Sequence, residues 1–238
     1  LDRLERSLGE LEMALPMPRA ALQVVLRETI RRDRSKHCLL YLQITRGVAP
    51  RHHGFPKGVA CSLVVMVHSG PAYDAKTVSR GFSVIMVPDI RWKRADIKAL
   101  CLLPNVLARQ KAFEAGAFEA WLVDADGMVT EGTHSNAWIV SEDGELITRQ
   151  PDNAILDGIT RRTLLDMAQG DGITFKVRPF SAAEALAARE AFLTSSSSFV
   201  KPVIRIDGQD IGGGKTGPLT RKLIGLYANY LETLGPPS

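Results

Sequence analysis

The chain has 238 residues, 45% of them apolar and 24% charged, with a formal net charge of +4. That length supports a large buried core in one domain or two modest ones, and the composition is that of a soluble globular protein. No apolar run approaches the ~20 residues of a membrane span, and scattered basic residues with only 6% aromatics read as a solvated surface, not a nucleic-acid footprint.

The chain opens on LDRLERSLGELEM, which lacks the basic-then-apolar order of a signal peptide and reads as an internal helix. The natural N-terminus is therefore expected upstream of Leu1. Residues 1–13 and 18–32 are expected as two helices broken at Pro16 and Pro18, with Val24, Val25, Leu26 and Ile30 on the apolar face of the second. YLQITR (41–46) and ACSLVVMV (60–67) read as strands flanking a polar loop that contains PRHHGFP. These elements make residues 1–68 a first domain, and 69–79, with its Gly-Pro turn, reads as a linker to a second domain over 80–238.

The second domain is expected to hold a strand at 82–87 and a helix from near Pro104 to Gly116. A hairpin over 119–140 turns at Asp126-Gly127, and another reversal falls at Asp143-Gly144. A helix starts near Gly158, and the next starts at Ser181, where Ser181 and Glu184 have capping-box spacing. A strand at 191–194 runs into four serines, VIRI turns at Asp207-Gly208, and an amphipathic helix from about Leu219 to Leu234 closes the chain. Hairpins mixed with single helices give an α+β fold. Cys38, Cys61 and Cys101 are widely spaced without a CxxC pair, which points away from disulfides and zinc and toward a reducing, cytoplasmic compartment.

Several segments carry chemistry, each with an ordinary structural reading beside it. GGGKT (212–216) looks like the end of a phosphate-binding P-loop, but Gln209 stands where that motif needs glycine, and a hairpin precedes it instead of a buried strand; it reads as a loop. Adjacent His52 and His53 point to opposite sides of an extended segment and do not chelate a metal. Arg51 and His53 share a face and suit a carboxylate, or form an ordinary surface loop. Gly158 at a helix start leaves the N–H groups of Ile159 and Thr160 for a phosphate, or for simple capping. TSSSS (194–198) is a phosphate cradle or a polar loop. Glu131, in VTEGTHSN, is a surface hairpin residue or a buried carboxylate that needs a cation. Lys98, with Ile97, Ala99 and Leu100 beside it, sits in an apolar setting that would favour its neutral, nucleophilic amine.

Together and in this order, these segments resemble the D-amino-acid aminotransferases of the fold-type IV pyridoxal-phosphate (PLP) enzymes. The likeness spans LDRL (1–4), YLQITRGVAPRHHGFP (41–56), DIRWKRADIKALCLLPNVLARQKA (89–112), VTEGTHSN (129–136), ILDGITR (155–161) and FLTSSSS (192–198). It implies a two-domain fold with PLP between the domains, the small domain truncated at its N-terminus. Lys98 is then the Schiff-base lysine and the base for the α-proton, and Glu131 the partner of the pyridine nitrogen. Arg3, the backbone of Ile159 and Thr160, Ser195 and Ser196 anchor the phosphate, and Arg51 and His53 hold the substrate carboxylate across a homodimer interface.

The implied reaction is amino transfer between a D-amino acid, such as D-alanine, and a 2-oxo acid, such as 2-oxoglutarate. Neither metal, membrane nor nucleic acid takes part. A branched-chain aminotransferase, an R-selective amine transaminase and an aminodeoxychorismate lyase share the fold and stand as alternatives. Two departures from the family's pattern stand out. Its N-terminal segment, with a tyrosine of the carboxylate trap, has no counterpart here. Thr133-His134 replaces two small hydroxyl residues, so His134 either alters hydrogen bonding near the cofactor or fills space.

Overall fold

A computed structural model of the chain describes residues 1–33, 35, 37–70, 74 and 80–234. The chain forms two compact units, Leu1–Tyr73 and Asp74–Ser238. Most of the segment expected as a linker lies outside the described residues.

In the first unit, helices α1 (Asp2–Glu10) and α2 (Arg19–Arg32) precede an antiparallel strand pair, β1 (Cys38–Thr45) and β2 (Ser62–Ser69). The helices separate at the proline-containing stretch because proline lacks the N–H that continues a helical ladder. Pro18 becomes the N-cap of α2, and α2 packs on both strands. Arg46 holds the long β1–β2 loop: its guanidinium lies 3.5 Å from the Phe55 ring centroid, and its Nη1 donates to the Glu12 carbonyl at 3.3 Å.

The second unit contains β3 (Phe82–Pro88), α3 (Leu103–Glu114), β4 (Glu119–Val123), β5 (Val129–Gly132), β6 (Asn136–Val140) and β7 (Leu146–Thr148). These are followed by α4 (Ile159–Gly170), β8 (Phe175–Val177), α5 (Ala182–Leu186), β9 (Glu190–Ser195), β10 (Phe199–Ile206), β11 (Gln209–Asp210) and α6 (Pro218–Thr233). The strands make one nine-stranded sheet in the order β5-β4-β3-β10-β9-β6-β7-β8, with β11 on β10. The expected reversals at Gly127, Gly144 and Asp207-Gly208 are antiparallel turns, and the three glycines have φ of 77°, 86° and 82°, a region other residues avoid. The pairs β3–β4, β3–β10 and β7–β8 are parallel. Hairpin reasoning did not anticipate these, because parallel strands leave no local turn signal.

The 119–140 hairpin is also split. β5 lies at the sheet edge, while β6 pairs with β9, five positions away in the strand order. On a flat sheet those five spacings would separate them by about 24 Å, yet residues 133–135 reach only about 14 Å. The sheet therefore curls until β5 touches β6.

Period-2 alternation sends side chains to two cores. Trp121, Ala137, Ile139 and Leu193 join Phe180, Ala185 and Ala188 on one face, and Ala120 and Leu122 meet Ala108 and Ala112 of α3 on the other. Since α4 and α6 also pack on β9, β6 and most of β9 are buried on both sides. Helix α5 carries the expected capping box: Ser181 Oγ accepts from Glu184 N at 3.0 Å, and Glu184 Oε2 accepts from Ser181 N at 2.8 Å. Ser181→Ala is expected to lower unfolding stability by about 1 kcal/mol in urea titration; an unmoved midpoint would deny the cap its role.

Candidate active site

Glu131 lies on β5 and is 6% exposed, so the buried reading of this residue is the correct one. Its Oε1 accepts from Arg91 Nη1, and its Oε2 accepts from Asn136 Nδ2 at 3.0 Å and Leu156 N at 3.0 Å. Arg91 is itself enclosed. Nε and Nη2 clamp Asp89 at 2.9 and 2.7 Å, and Nη2 also reaches the Ala154 carbonyl at 2.8 Å. Burial pushes the Glu131 carboxyl up to about 7, even though the Arg91 cation and the Leu156 N–H pull it down. A cation entering beside it would favour the carboxylate again.

Lys98 sits in the irregular stretch between β3 and α3 and is exposed in this chain. Its apolar sequence neighbours do not enclose it: Ile97 is buried, but Leu100 is 61% exposed. What the structure supplies is anchorage. Arg91 fastens this stretch to Glu131, Ala95 N donates to Asn153 O at 2.9 Å, and Asn105 Nδ2 at the start of α3 donates to Thr133 O at 2.8 Å. Lys98 is thus carried on a segment tied before and after it to β5 and its following turn.

Helix α4 begins at Gly158, which has no side chain to cap it, so the first N–H groups, at Ile159 and Thr160, belong to an uncapped positive helix end. Gly158 has no room for a side chain, since a Cβ would stand 2.1 Å from Asn136 Oδ1. Asn136 also pairs with Thr194 in the β6–β9 ladder, and Ser195 and Ser196 follow directly. Ser195 Oγ accepts from Ser198 N at 3.0 Å, closing the serine turn. Glu131, the start of α4 and the serine turn are therefore gathered around Asn136.

Arg3, on α1, and Arg51 and His53, both exposed in the β1–β2 loop, belong to the first unit. His52 turns back on its own loop, its Nδ1 accepting from Gly54 N at 2.9 Å, and among the described residues no cluster of three metal-type side chains occurs. The glycines of GGGKT have φ of 59–70°, and Gly212 approaches the Arg189 carbonyl too closely for a Cβ, at 2.3 Å. The helix end where a P-loop would hold phosphate is taken: Glu190 accepts from Leu219 N at 3.0 Å and Thr220 N at 2.7 Å.

Sequence reasoning missed four residues: Asp89, Arg91, Asn136 and Glu119. Glu119 is fully buried and gathers the turn after Glu131, accepting from Thr133 Oγ1 at 3.0 Å, His134 N at 2.7 Å and Ser135 Oγ at 2.8 Å. His134 Nδ1 stands 2.8 Å from the same carboxylate, so the imidazole braces this turn. Burial works against the Glu119 carboxylate, but the His134 and Ser135 bonds outweigh it and hold its pKa below the ordinary value. The one available signal was a glutamate inside an otherwise apolar strand, EAWLV, which is expensive unless paired.

The shift at Glu131 has a measurable consequence. Its folded carboxyl binds a proton more tightly than the unfolded one, so this contribution to stability is full below about 4.5 and is lost as pH rises through about 7. At about 1.4 kcal/mol per unit the loss is on the order of 3 kcal/mol. In cofactor-free protein, Glu131→Gln is expected to remove that part of the pH slope in urea titrations; parallel slopes for the two proteins would contradict it.

Comparison with known proteins agrees with this architecture. The family model for amino-transferase class IV matches residues 1–206. The D-alanine aminotransferase of Bacillus licheniformis is 40% identical over 224 residues, covering 94% of this chain and 78% of that protein. The D-alanine aminotransferase of Staphylococcus haemolyticus is 35% identical over 232 residues, or 98% and 82% of the two chains. Among solved structures, the T.th. branched-chain amino acid aminotransferase with pyridoxamine 5'-phosphate superposes with a TM-score of 0.89 at 25% identity, covering 99% of this chain and 78% of that one. The branched-chain aminotransferase of Thermoproteus uzoniensis with norvaline gives 0.87 at 26%, over 98% and 78%. With the family match running from the first unit through β10, this chain belongs to the class IV aminotransferases.

Proposed function

We propose that the chain transfers an amino group between a D-amino acid, such as D-alanine, and a 2-oxo acid, such as 2-oxoglutarate, with PLP as cofactor. The observation that carries this reading is a buried carboxylate joined through Asn136 to an uncapped helix N-terminus. That donor set fits a flat ring with a basic nitrogen at one end and a phosphate at the other. Curated relatives at 35–40% identity point to the D-amino acid. The branched-chain structures, at 25–26% identity, favour the alternative less.

When bound, PLP supplies an electron sink for the negative charge left by loss of the substrate α-proton. In this reading, Glu131 keeps a proton on the ring nitrogen and Arg91 keeps Glu131 oriented. The N–H groups of Ile159 and Thr160, with Ser195, Ser196 and Arg3, bind the phosphate. Lys98 would hold the aldehyde carbon through its amine, and the same amine would carry the α-proton. Arg51 and His53 take the substrate carboxylate, since a guanidinium matches both carboxylate oxygens.

A homodimer belongs to the proposal. It is supported by the apolar surface that Leu100, Leu103, Val106 and Leu107 expose, each at 49–69%, on and beside α3. A cytoplasmic, reducing compartment is supported by the free state of Cys38, Cys61 and Cys101. Among the described residues no helix is long and apolar enough to cross a membrane.

Purified protein given D-alanine and 2-oxoglutarate is expected to form pyruvate and glutamate, with little product from L-leucine; turnover of L-leucine alone would overturn the stereochemical reading. Lys98→Ala is expected to lose the borohydride-fixed cofactor on its peptide and to reduce turnover at least about 100-fold. Sedimentation is expected to give about twice the 26.0 kDa chain mass, and a monomer at working concentration would remove the dimer from the proposal.

A further inference from the structure

Asn136 is 4% exposed and uses both hydrogens of its side-chain nitrogen. Its two Nδ2 hydrogens serve Glu131 Oε2 at 3.0 Å and the Leu156 carbonyl at 2.8 Å, the full donor capacity of a primary amide nitrogen. Leu156 N closes the ring of contacts on the same Oε2 at 3.0 Å. Oδ1 rests against Gly158, in the space a Cβ would occupy. One amide therefore touches the buried carboxylate, the irregular segment entering α4 and the N-cap of that helix, while its backbone pairs with the residue before Ser195.

The geometry points to Asn136 as a positioning residue that fixes the span between the Glu131 carboxylate and the N-terminus of α4, so that both ends of one rigid cofactor are met at once. This deepens the function proposed above and rests on its reading of Glu131 and α4. The physical reason is the ligand's stiffness. An aromatic ring cannot stretch to reach two anchors that drift apart, so its recognition requires a fixed distance between them. Two other contacts bear on that distance: Leu156 N, bonded to Glu131, and Arg91 Nη2, which reaches the Ala154 carbonyl. Neither touches Gly158 itself. Asn136 bonds both the carboxylate and the chain entering the helix and also seats against the N-cap.

The test compares a ligand that needs both anchors with one that needs a single anchor. Cofactor-free wild type and Asn136→Ala are titrated with PLP by equilibrium dialysis, and with inorganic phosphate as a competitor of PLP reconstitution. Asn136→Ala is expected to weaken PLP binding about tenfold or more, because Glu131 and Leu156 each lose a buried donor. The absorption maximum of bound PLP should move as well, while phosphate affinity stays within about twofold, since the helix end itself is intact. Equal PLP affinity in variant and wild type, or a parallel fall for phosphate, would overturn the inference.

If Asn136→Ala does not fold, Asn136→Asp keeps the shape and sets an acceptor against the two acceptors, and it is held to the same outcomes. Wild type that binds no PLP would overturn the proposed function itself. Wild type that binds PLP beside variants that bind it equally well would overturn only the part given to Asn136.

Discussion

Burying a carboxylate without partners costs more than a small domain can spare, and the second unit is arranged around one at Glu131. Arg91 approaches one oxygen, and Asn136 and the Leu156 backbone take the other. Each partner comes from a different part of the chain: the stretch after β3, the start of β6 and the segment before α4. Arg91 in turn needs Asp89, which also accepts from Thr130 Oγ1 at 2.8 Å. Satisfying one buried charge thus ties together β5, the stretch after β3, the start of β6 and the segment before α4, and Lys98 is carried on one of them.

The curl of the sheet makes these meetings possible. β5 and β6 are sequence neighbours but lie five places apart in strand order, so the short turn between them can close only when the sheet folds back on itself. Glu119 stabilises that turn by collecting its hydroxyl, amide and imidazole donors. The two buried glutamates have different tasks. Glu119 is enclosed by donors of the turn and sits below its ordinary pKa, which suits a structural anion. Glu131 keeps a titratable character near neutrality, which suits a group that answers to a ligand.

Fold and specificity separate here. Structures of branched-chain aminotransferases share the architecture at 25–26% identity, whereas the D-alanine aminotransferases share 35–40% of the residues. A common scaffold supports several substrates, so strand order does not choose among them; in the proposed function that choice falls to side chains such as Arg51 and His53.

By itself the sequence determined the local elements. Prolines, glycines and caps act within a few residues, so the break near Pro18, the turns at Gly127 and Gly144 and the capping box at Ser181 could be read directly. The segments around Lys98, Glu131 and Ile159 stood out because their residue types suit an amine, a carboxylate and a phosphate site, but each also had an ordinary structural reading, and only their order along the chain resembled a family. Tertiary structure alone decided the parallel pairings, the split of the 119–140 hairpin and the exposure of Lys98. It also decided that Arg91, Asp89 and Asn136 serve Glu131. Those outcomes depend on contacts between residues as far apart as Arg91 and Ala154, or Phe82 and Val203, and no local periodicity encodes which distant donor a buried carboxylate will meet.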